Sequence, residues 1–209
     1  MRPVIILDAA HLKGDFLGTN YLAVAMDGNN HILPLAYGVG KAEDTLSWTW
    51  FLEQLKECIK DKAESLTFIS DGAGSIASSI RTIFPTAFHG RCCRHLLMNM
   101  RAKGGRKERE AVFWKACKAY RVSDFNEYME EMRASLPKAA ESLEKLGFEK
   151  WARCHSLGIR YNYMTSNSAE SVNALTRYAR KLPICMLIDF FRSSIQQWYF
   201  ERRETAGKH

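Results

Sequence analysis

The chain has 209 residues, 46% of them hydrophobic and 25% charged, as in an ordinary soluble globular protein with a sizeable core. No apolar run approaches the ~20 residues needed to span a bilayer. The N-terminal MRPVIILDAA meets Asp8 and then Lys13 too early for a secretory signal or an anchor, so no membrane partner is expected. The length suits one domain, or one domain carrying a large insertion. A formal net charge of +7 is compatible with a polyanionic partner without requiring one. One stretch is densely basic, RAKGGRKERE at 101–110, either a solvated loop and helix start or an edge that contacts phosphate. Cys58, Cys92, Cys93, Cys117, Cys154 and Cys185 form no disulfide framework and read as reduced thiols of a cytosolic or nuclear protein.

In chain order, PVIILDA (3–9) predicts a short buried strand that ends in an acid. YLAVAMDGNNHILPLAYGVG (21–40) predicts two strands around a turn, with DGNN supplying residues that tolerate positive φ. From residue 44 the period changes: Leu46, Trp50, Leu52, Leu55 and Ile59 recur at helical spacing, and Asp44 or Thr45 can cap the start. LTFIS (66–70) is a further strand closed by Asp71-Gly72. A helix over 74–84 stops at Pro85, and 86–90 is a last short strand. Helices then follow from 91 to Gly104-Gly105 and over about 107–120, 124–134 and 137–146. A linker at 158–167 leads to two more helices separated by Pro183. The order β-β-β-α-β-α-β followed by helices predicts an α/β protein with a mixed sheet and a helical insertion. Residues 1–103 would form the first part of the core, 104–160 the insertion, and 161–209 the closing helices.

Two acids stand where strands are predicted to end, Asp8 and Asp71. If the first and fourth strands are neighbours, both carboxylates emerge side by side. Such a pair needs a shared proton or a cation, and an oxygen-rich site of this kind suits Mg²⁺ or Mn²⁺. The plainer reading of each is a turn aspartate bonding the backbone two residues on. A third acid, Glu170, lies in TSNSAESVNAL (165–175), three residues after Asn167. That is the spacing of a capping box, so Glu170 reads first as part of a helix start. Positions 170, 173, 174 and 177 of that helix share one face, which would present Asn173 and Arg177. In HGRCCRHL (89–96), Cys92 and His95 have C-x-x-H spacing. No second pair stands out to complete a four-ligand site, so no structural zinc is expected.

Taken together these blocks become recognisable. ILDAAHLKGDFLGTNYLAVAMDGNNHILPLAYGV with DTLSWTWFLEQL, then TFISDGAGSIASSIRTIFPTAFHGRCCRHLLMNM, then TSNSAESVNAL resemble three successive blocks of the Mutator-like element (MULE) transposase domain, over about residues 3–200. The resemblance implies an RNase H-like fold with an all-helical insertion before the last catalytic helix. It implies a DDE triad at Asp8, Asp71 and Glu170 holding two Mg²⁺ (or Mn²⁺) ions, with Asp8 bridging them and Asp71 and Glu170 each holding one. It places the family's C-x-x-H signature at Cys92 and His95, and Lys13, Arg94, Asn173 and Arg177 as candidate DNA contacts. The implied activity is metal-dependent DNA strand cleavage and strand transfer, by a homo-oligomer on paired ends of double-stranded DNA, in the nucleus.

Two departures stand out. Asp8-Ala9-Ala10-His11 replaces the more usual Asp-Gly-Thr, and SDGAGSI has only Gly and Ala where a basic or polar residue often follows Ser-Asp. Relatives also carry an N-terminal DNA-binding region and often a C-terminal SWIM-type zinc finger. Neither is visible here, so an excised domain or a truncated product is expected. The alternative to an active enzyme is a domesticated descendant, DNA-associated or transcription-regulating, that has kept the acids but not transposition.

Overall fold

The computed structural model describes residues 1–59, 65–102 and 110–207. Most of the basic stretch at 101–110, the expected helix stop at Gly104-Gly105 and the start of the helix expected from 107 lie outside the described residues.

Strand β1 (Val4–His11) lies at the centre of a five-stranded sheet of order β3-β2-β1-β4-β5. Strands β2 (Thr19–Met26) and β3 (Ile32–Gly40) form an antiparallel hairpin. Asp27 makes the turn by accepting the N–H groups of Asn29 and His31 at 2.9 and 2.8 Å. β1 pairs antiparallel with β2 and parallel with β4 (Thr67–Ser70), which pairs parallel with β5 (Phe88–Arg91).

The parallel half requires crossovers, and two helices supply them: α1 (Thr45–Ile59), whose Asp44 accepts the Ser47 N–H at 2.8 Å, and α2 (Gly74–Ile83). Successive side chains of a strand point to opposite faces. Ile5 and Leu7 of β1 and Phe68 of β4 therefore join Trp48, Leu52 and Ile80 of α1 and α2. Val4, Ile6 and Ile69 face the other way, against Ala169 and Val172 of a late helix, α7 (Asn167–Leu175).

Between these layers in sequence runs a helical block: α3 (Cys93–Ala102), α4 (Glu110–Lys118), α5 (Val122–Ser135) and α6 (Pro137–Leu146), followed by two 3₁₀ turns. It has its own core, in which Phe113, Phe125 and Trp151 pack with Cys93 and Leu97 of α3. The final helix α8 (Ile184–Ala206) covers the opposite flank, where Phe191 stacks on Tyr37 of β3 with centroids 4.1 Å apart. No helix among the described residues is long and apolar enough to cross a membrane.

The structure differs from the sequence expectations in three places near the acids. β1 does not stop at Asp8 but runs to His11, because β2 keeps pairing with it through Asp8↔Leu22 to His11↔Thr19. Only the β4 side ends early, at Ile6↔Ile69. The Asn167–Glu170 capping box does not form: the cap position is Ser166, and its side chain makes no cap bond. The helix that begins there ends at Leu175 rather than continuing to 180, and Thr176 turns its hydroxyl back to the Asn173 carbonyl at 3.0 Å. Arg177 therefore lies beyond the helix.

One buried cation joins the block to the sheet. Arg160 is 2% exposed and donates to the carbonyls of Lys150 (3.0 Å) and Arg91 (3.1 Å). Truncation would remove both bonds, each made by a charged donor and contributing ~1.5–3 kcal/mol. Arg160→Ala is therefore expected to lose about 3 kcal/mol of stability in urea unfolding, with Arg160→Lys intermediate because a single ammonium can still reach one acceptor.

Candidate functional site

The site is built on the β1–β4 register. Asp8 and Asp71 each stand two residues beyond the last parallel pair, Ile6↔Ile69. By strand alternation both sit on the face of Ile6 and Ile69, the face covered by α7. Glu170 lies in the first turn of α7, the helix over that face, where its charge reaches Asp8 and, together with that of Asp71, reaches His95.

Each carboxylate has one oxygen held from within the protein. Asn173 Nδ2 donates to Asp8 Oδ2 at 2.7 Å. The Ala73 N–H donates to Asp71 Oδ1 at 3.0 Å, so Asp71 does form the local turn bond that the sequence allowed. The Ser166 hydroxyl donates to Glu170 Oε1 at 2.8 Å. Asp8 pays for its position: burial pushes its pKa up to about 6, the Asn173 hydrogen bond opposes the rise, and the nearby Glu170 charge adds to it.

The C-x-x-H pair lies against Glu170. Ligand atoms of Cys92, His95 and Glu170 fall within 4.8 Å of one another. Burial alone would raise the Cys92 thiol, but hydrogen bonds from His95 and Ser166 outweigh it and hold it below its usual range. His95 is driven up to about 9, first by its bond to Cys92 against the opposing effect of burial, then by the charges of Cys92, Asp71 and Glu170. A cationic imidazole therefore faces the acids. Ser166 links the two groups, since its N–H and hydroxyl lie 3.2 and 3.3 Å from Cys92 Sγ. With one proton, the hydroxyl donates either to Cys92 Sγ or to Glu170 Oε1.

The other residues singled out in the sequence lie as follows. Arg94 is exposed, 3.9 Å from Glu170 Oε2 and 3.3 Å from Asn167 Oδ1. Lys13 and Arg177 are exposed at the far end of β1, where the Lys13 N–H bonds the Arg180 carbonyl at 2.8 Å. Asn173 does not face solvent. It is 5% exposed, between Asp8 and Asn20.

Three participants, Asn20, Arg180 and Arg91, carry no sequence signal of their own, whereas Ser166 lies within the TSNSAESVNAL block. Asn20, on β2, donates to Asn173 Oδ1 at 3.2 Å. Arg180, buried, donates to the His11 carbonyl at 2.9 Å and feels the Asp8 charge. Ser166 serves Glu170 instead of capping the helix. Arg91 pairs with Ser70 across β4–β5 and lies within reach of the Asp71 charge. Gly72 has a φ of +80°, and a Cβ there would fall 1.3 Å from Arg91 Nη1. The Gly that follows Ser-Asp thus admits a basic group from the neighbouring strand. Ser70 shapes the same turn by accepting the Gly72 N–H at 3.0 Å, which leaves its proton for His89 Nε2 at 2.8 Å. Burial and the Arg91 charge keep His89 neutral, with a pKa near 4.

Asp8, Asp71 and Glu170 offer only oxygen, in a partly desolvated setting where one carboxylate is already reluctant to ionise. This donor set fits a hard divalent cation such as Mg²⁺ or Mn²⁺. Cys92 and His95 are softer ligands of the kind that take zinc, but here they are engaged with Ser166 and with each other.

Residues 4–99 match the model of the MULE transposase domain. A transposase for insertion sequence element IS1201 from Lactobacillus helveticus is 24% identical over 140 residues, which cover 67% of this chain and 34% of that protein. The chain thus aligns with about a third of that relative's length.

The raised Asp8 pKa sets a stability profile. The folded state keeps this proton to about pH 6, while the unfolded chain releases it near 3.8. The stability it contributes is complete below that lower value and is lost as the pH rises through the higher one. In EDTA at pH 7.5, Asp8→Asn should be more stable than wild type by on the order of 2–3 kcal/mol. The gap should close toward pH 4, as read by urea unfolding across that range.

Proposed function

We propose that this chain is the catalytic domain of a MULE-type DDE transposase, with an RNase H-like core, and that it cleaves and transfers DNA strands with Asp8, Asp71 and Glu170 as its metal-holding acids. The observation that supports the reading is that Asp8, held by Asn173 of α7, feels the Glu170 charge, while Asp71 and Glu170 both act on His95. The sheet order β3-β2-β1-β4-β5, antiparallel then parallel, is the order expected of that core. The family match over residues 4–99 and the similarity to the IS1201 transposase support the same activity.

Two bound Mg²⁺ or Mn²⁺ ions would supply Lewis-acid activation of the attacking oxygen and neutralise charge on the phosphate. The chain's own residues do the rest. Asn173 and Ser166 orient the Asp8 and Glu170 carboxylates, and the turn N–H of Ala73 orients Asp71. His95, held cationic beside Asp71 and Glu170, can donate a proton or a hydrogen bond to a phosphate oxygen. Arg94, exposed beside Glu170, and Lys13 and Arg177, exposed at the far end of β1, can approach the DNA backbone, where each phosphate contact adds salt-dependent affinity. Work on two DNA ends implies a homo-oligomer, and in a nucleated host the nucleus.

The test is cleavage of labelled double-stranded DNA bearing element ends. Wild type should nick it in Mg²⁺ or Mn²⁺ and not in EDTA. Asp8→Asn, Asp71→Asn and Glu170→Gln should each lower the rate at least ~10³-fold while remaining folded by circular dichroism. Retained cleavage in any of the three would remove that residue from the triad. A folded wild type that binds DNA but never cuts it would support the domesticated, DNA-associated alternative.

A further inference from the structure

We propose that Asn20 and Asn173 form a directional amide relay that positions Asp8, and that Asn20 acts on the metal-holding carboxylate without touching it. This deepens the transposase reading and rests on it for the identity of the site.

Both amides are withdrawn from water, Asn20 at 0% and Asn173 at 5% exposure. A buried amide costs several kcal/mol unless it is hydrogen-bonded, so this pair has to be satisfied by what surrounds it. The bonds run one way: Asn20 Nδ2 to Asn173 Oδ1 at 3.2 Å, then Asn173 Nδ2 to Asp8 Oδ2 at 2.7 Å. An ionised carboxylate only accepts, so Asn173 must turn its NH₂ to Asp8. Its carbonyl is then left for a donor, and Asn20 is that donor. With Asn173 reversed, its carbonyl oxygen would face the carboxylate and its NH₂ would face the NH₂ of Asn20. Asn20 thus selects the orientation of Asn173 that can hold an ionised Asp8. Among the described residues Asn20 Oδ1 has no hydrogen-bond partner, so the NH₂ is the group through which Asn20 is held.

The relay also fixes a spacing. Asn20 lies opposite Ala10, two residues along the β1–β2 ladder from Asp8↔Leu22. Asn173 follows Glu170 by three residues on α7, and residues at that interval share a helix face. The bond from Asn173 to Asp8 therefore seats α7 on the sheet at the level where Glu170 meets Asp8. Lost, it would free the Asp8 side chain and loosen the distance between two metal-holding acids together. Partners of this outer kind typically contribute 10–100-fold to metal affinity.

The experiment measures Mn²⁺ binding by electron paramagnetic resonance, beside DNA cleavage and urea unfolding, in wild type, Asn173→Ala, Asn20→Ala, Asn20→Asp and Asp8→Asn. Wild type should bind Mn²⁺ in a way that Asp8→Asn abolishes. Asn173→Ala should weaken Mn²⁺ by about 10–100-fold and raise the Mg²⁺ needed for half-maximal cleavage in proportion. Asn20→Ala should weaken Mn²⁺ by roughly tenfold, at the lower end of that range. Asn20→Asp, which only accepts and so reverses Asn173, should be worse than Asn20→Ala. Folded Asn173→Ala and Asn20→Ala proteins with wild-type Mn²⁺ affinity would overturn the proposal, as would Asn20→Asp binding as well as Asn20→Ala. If Asn173→Ala does not fold, the two Asn20 variants decide the matter. If none of the three folds, the pair is structural and the proposal fails. A wild type that binds Mn²⁺ through Asp8 yet leaves DNA intact overturns the transposase reading alone. A wild type that binds no Mn²⁺ overturns the relay.

Discussion

Parallel pairing of β1 with β4 places two acids at the same level on the same face of a sheet, and much of the surrounding structure is arranged around that placement. A carboxylate withdrawn from water resists ionisation, and a second one nearby adds repulsion. Asp8 shows both effects. The neighbours answer them with positive or donating groups: Asn173 on Asp8, the Ala73 N–H on Asp71, Ser166 on Glu170, and the cations of His95, Arg180 and Arg91 within electrostatic reach. Burial and like charge keep this site short of its best stability. That is the usual condition of a site arranged for chemistry.

The sheet order explains why the hairpin precedes the parallel half. β2 extends β1 past the end of β4, carrying its pairing through His11↔Thr19. Asp8 is therefore held on one side by a continuous ladder while its other side opens toward Asp71 and α7. An acid at a frayed strand end would lose its direction. The β2 side also brings Asn20 under α7, so the strand that stiffens Asp8 carries the residue that orients its partner.

The fold was largely legible where periodicity operates. Apolar runs and the DGNN turn marked the strands, helical spacing marked α1, and Pro183 separated the last two helices. Asp71 stood out because Gly72 follows it at a strand end. The misreadings come from places where a local pattern meets a tertiary demand. Asn167–Glu170 has capping-box spacing, but the Glu170 carboxylate is drawn to the Ser166 hydroxyl and faces the sheet. Asn173 sits on the polar side of a helical wheel, yet that side lies against β1 and β2. No local pattern singles out Arg91 or Arg180. Only the β4–β5 register and the return of the chain after α7 bring them to Asp71 and His11. Such roles depend on which strands are neighbours, and no window of a few residues contains that.

The C-x-x-H motif gains a structural meaning from where the helical block leaves and rejoins the core. Glu170 follows Asp71 by 99 residues (170 − 71), and an excursion of that length does not by itself return its end to a chosen place. Here the two ends are joined. The Cys93 N–H bonds the Met164 carbonyl at 2.8 Å, and Cys92 Sγ lies 3.2 Å from the Ser166 nitrogen. Arg160 adds a third tie, from the returning chain to β5. The block between has its own core, so it can hold these ends together without borrowing packing from the sheet. Closing a longer loop costs only slowly more entropy, so the size of the block matters less than the closure at its base. Cys92 and Ser166 form that closure, and the same serine hydroxyl reaches Glu170. The motif thereby connects the end of the insertion to the third acid, through one buried serine.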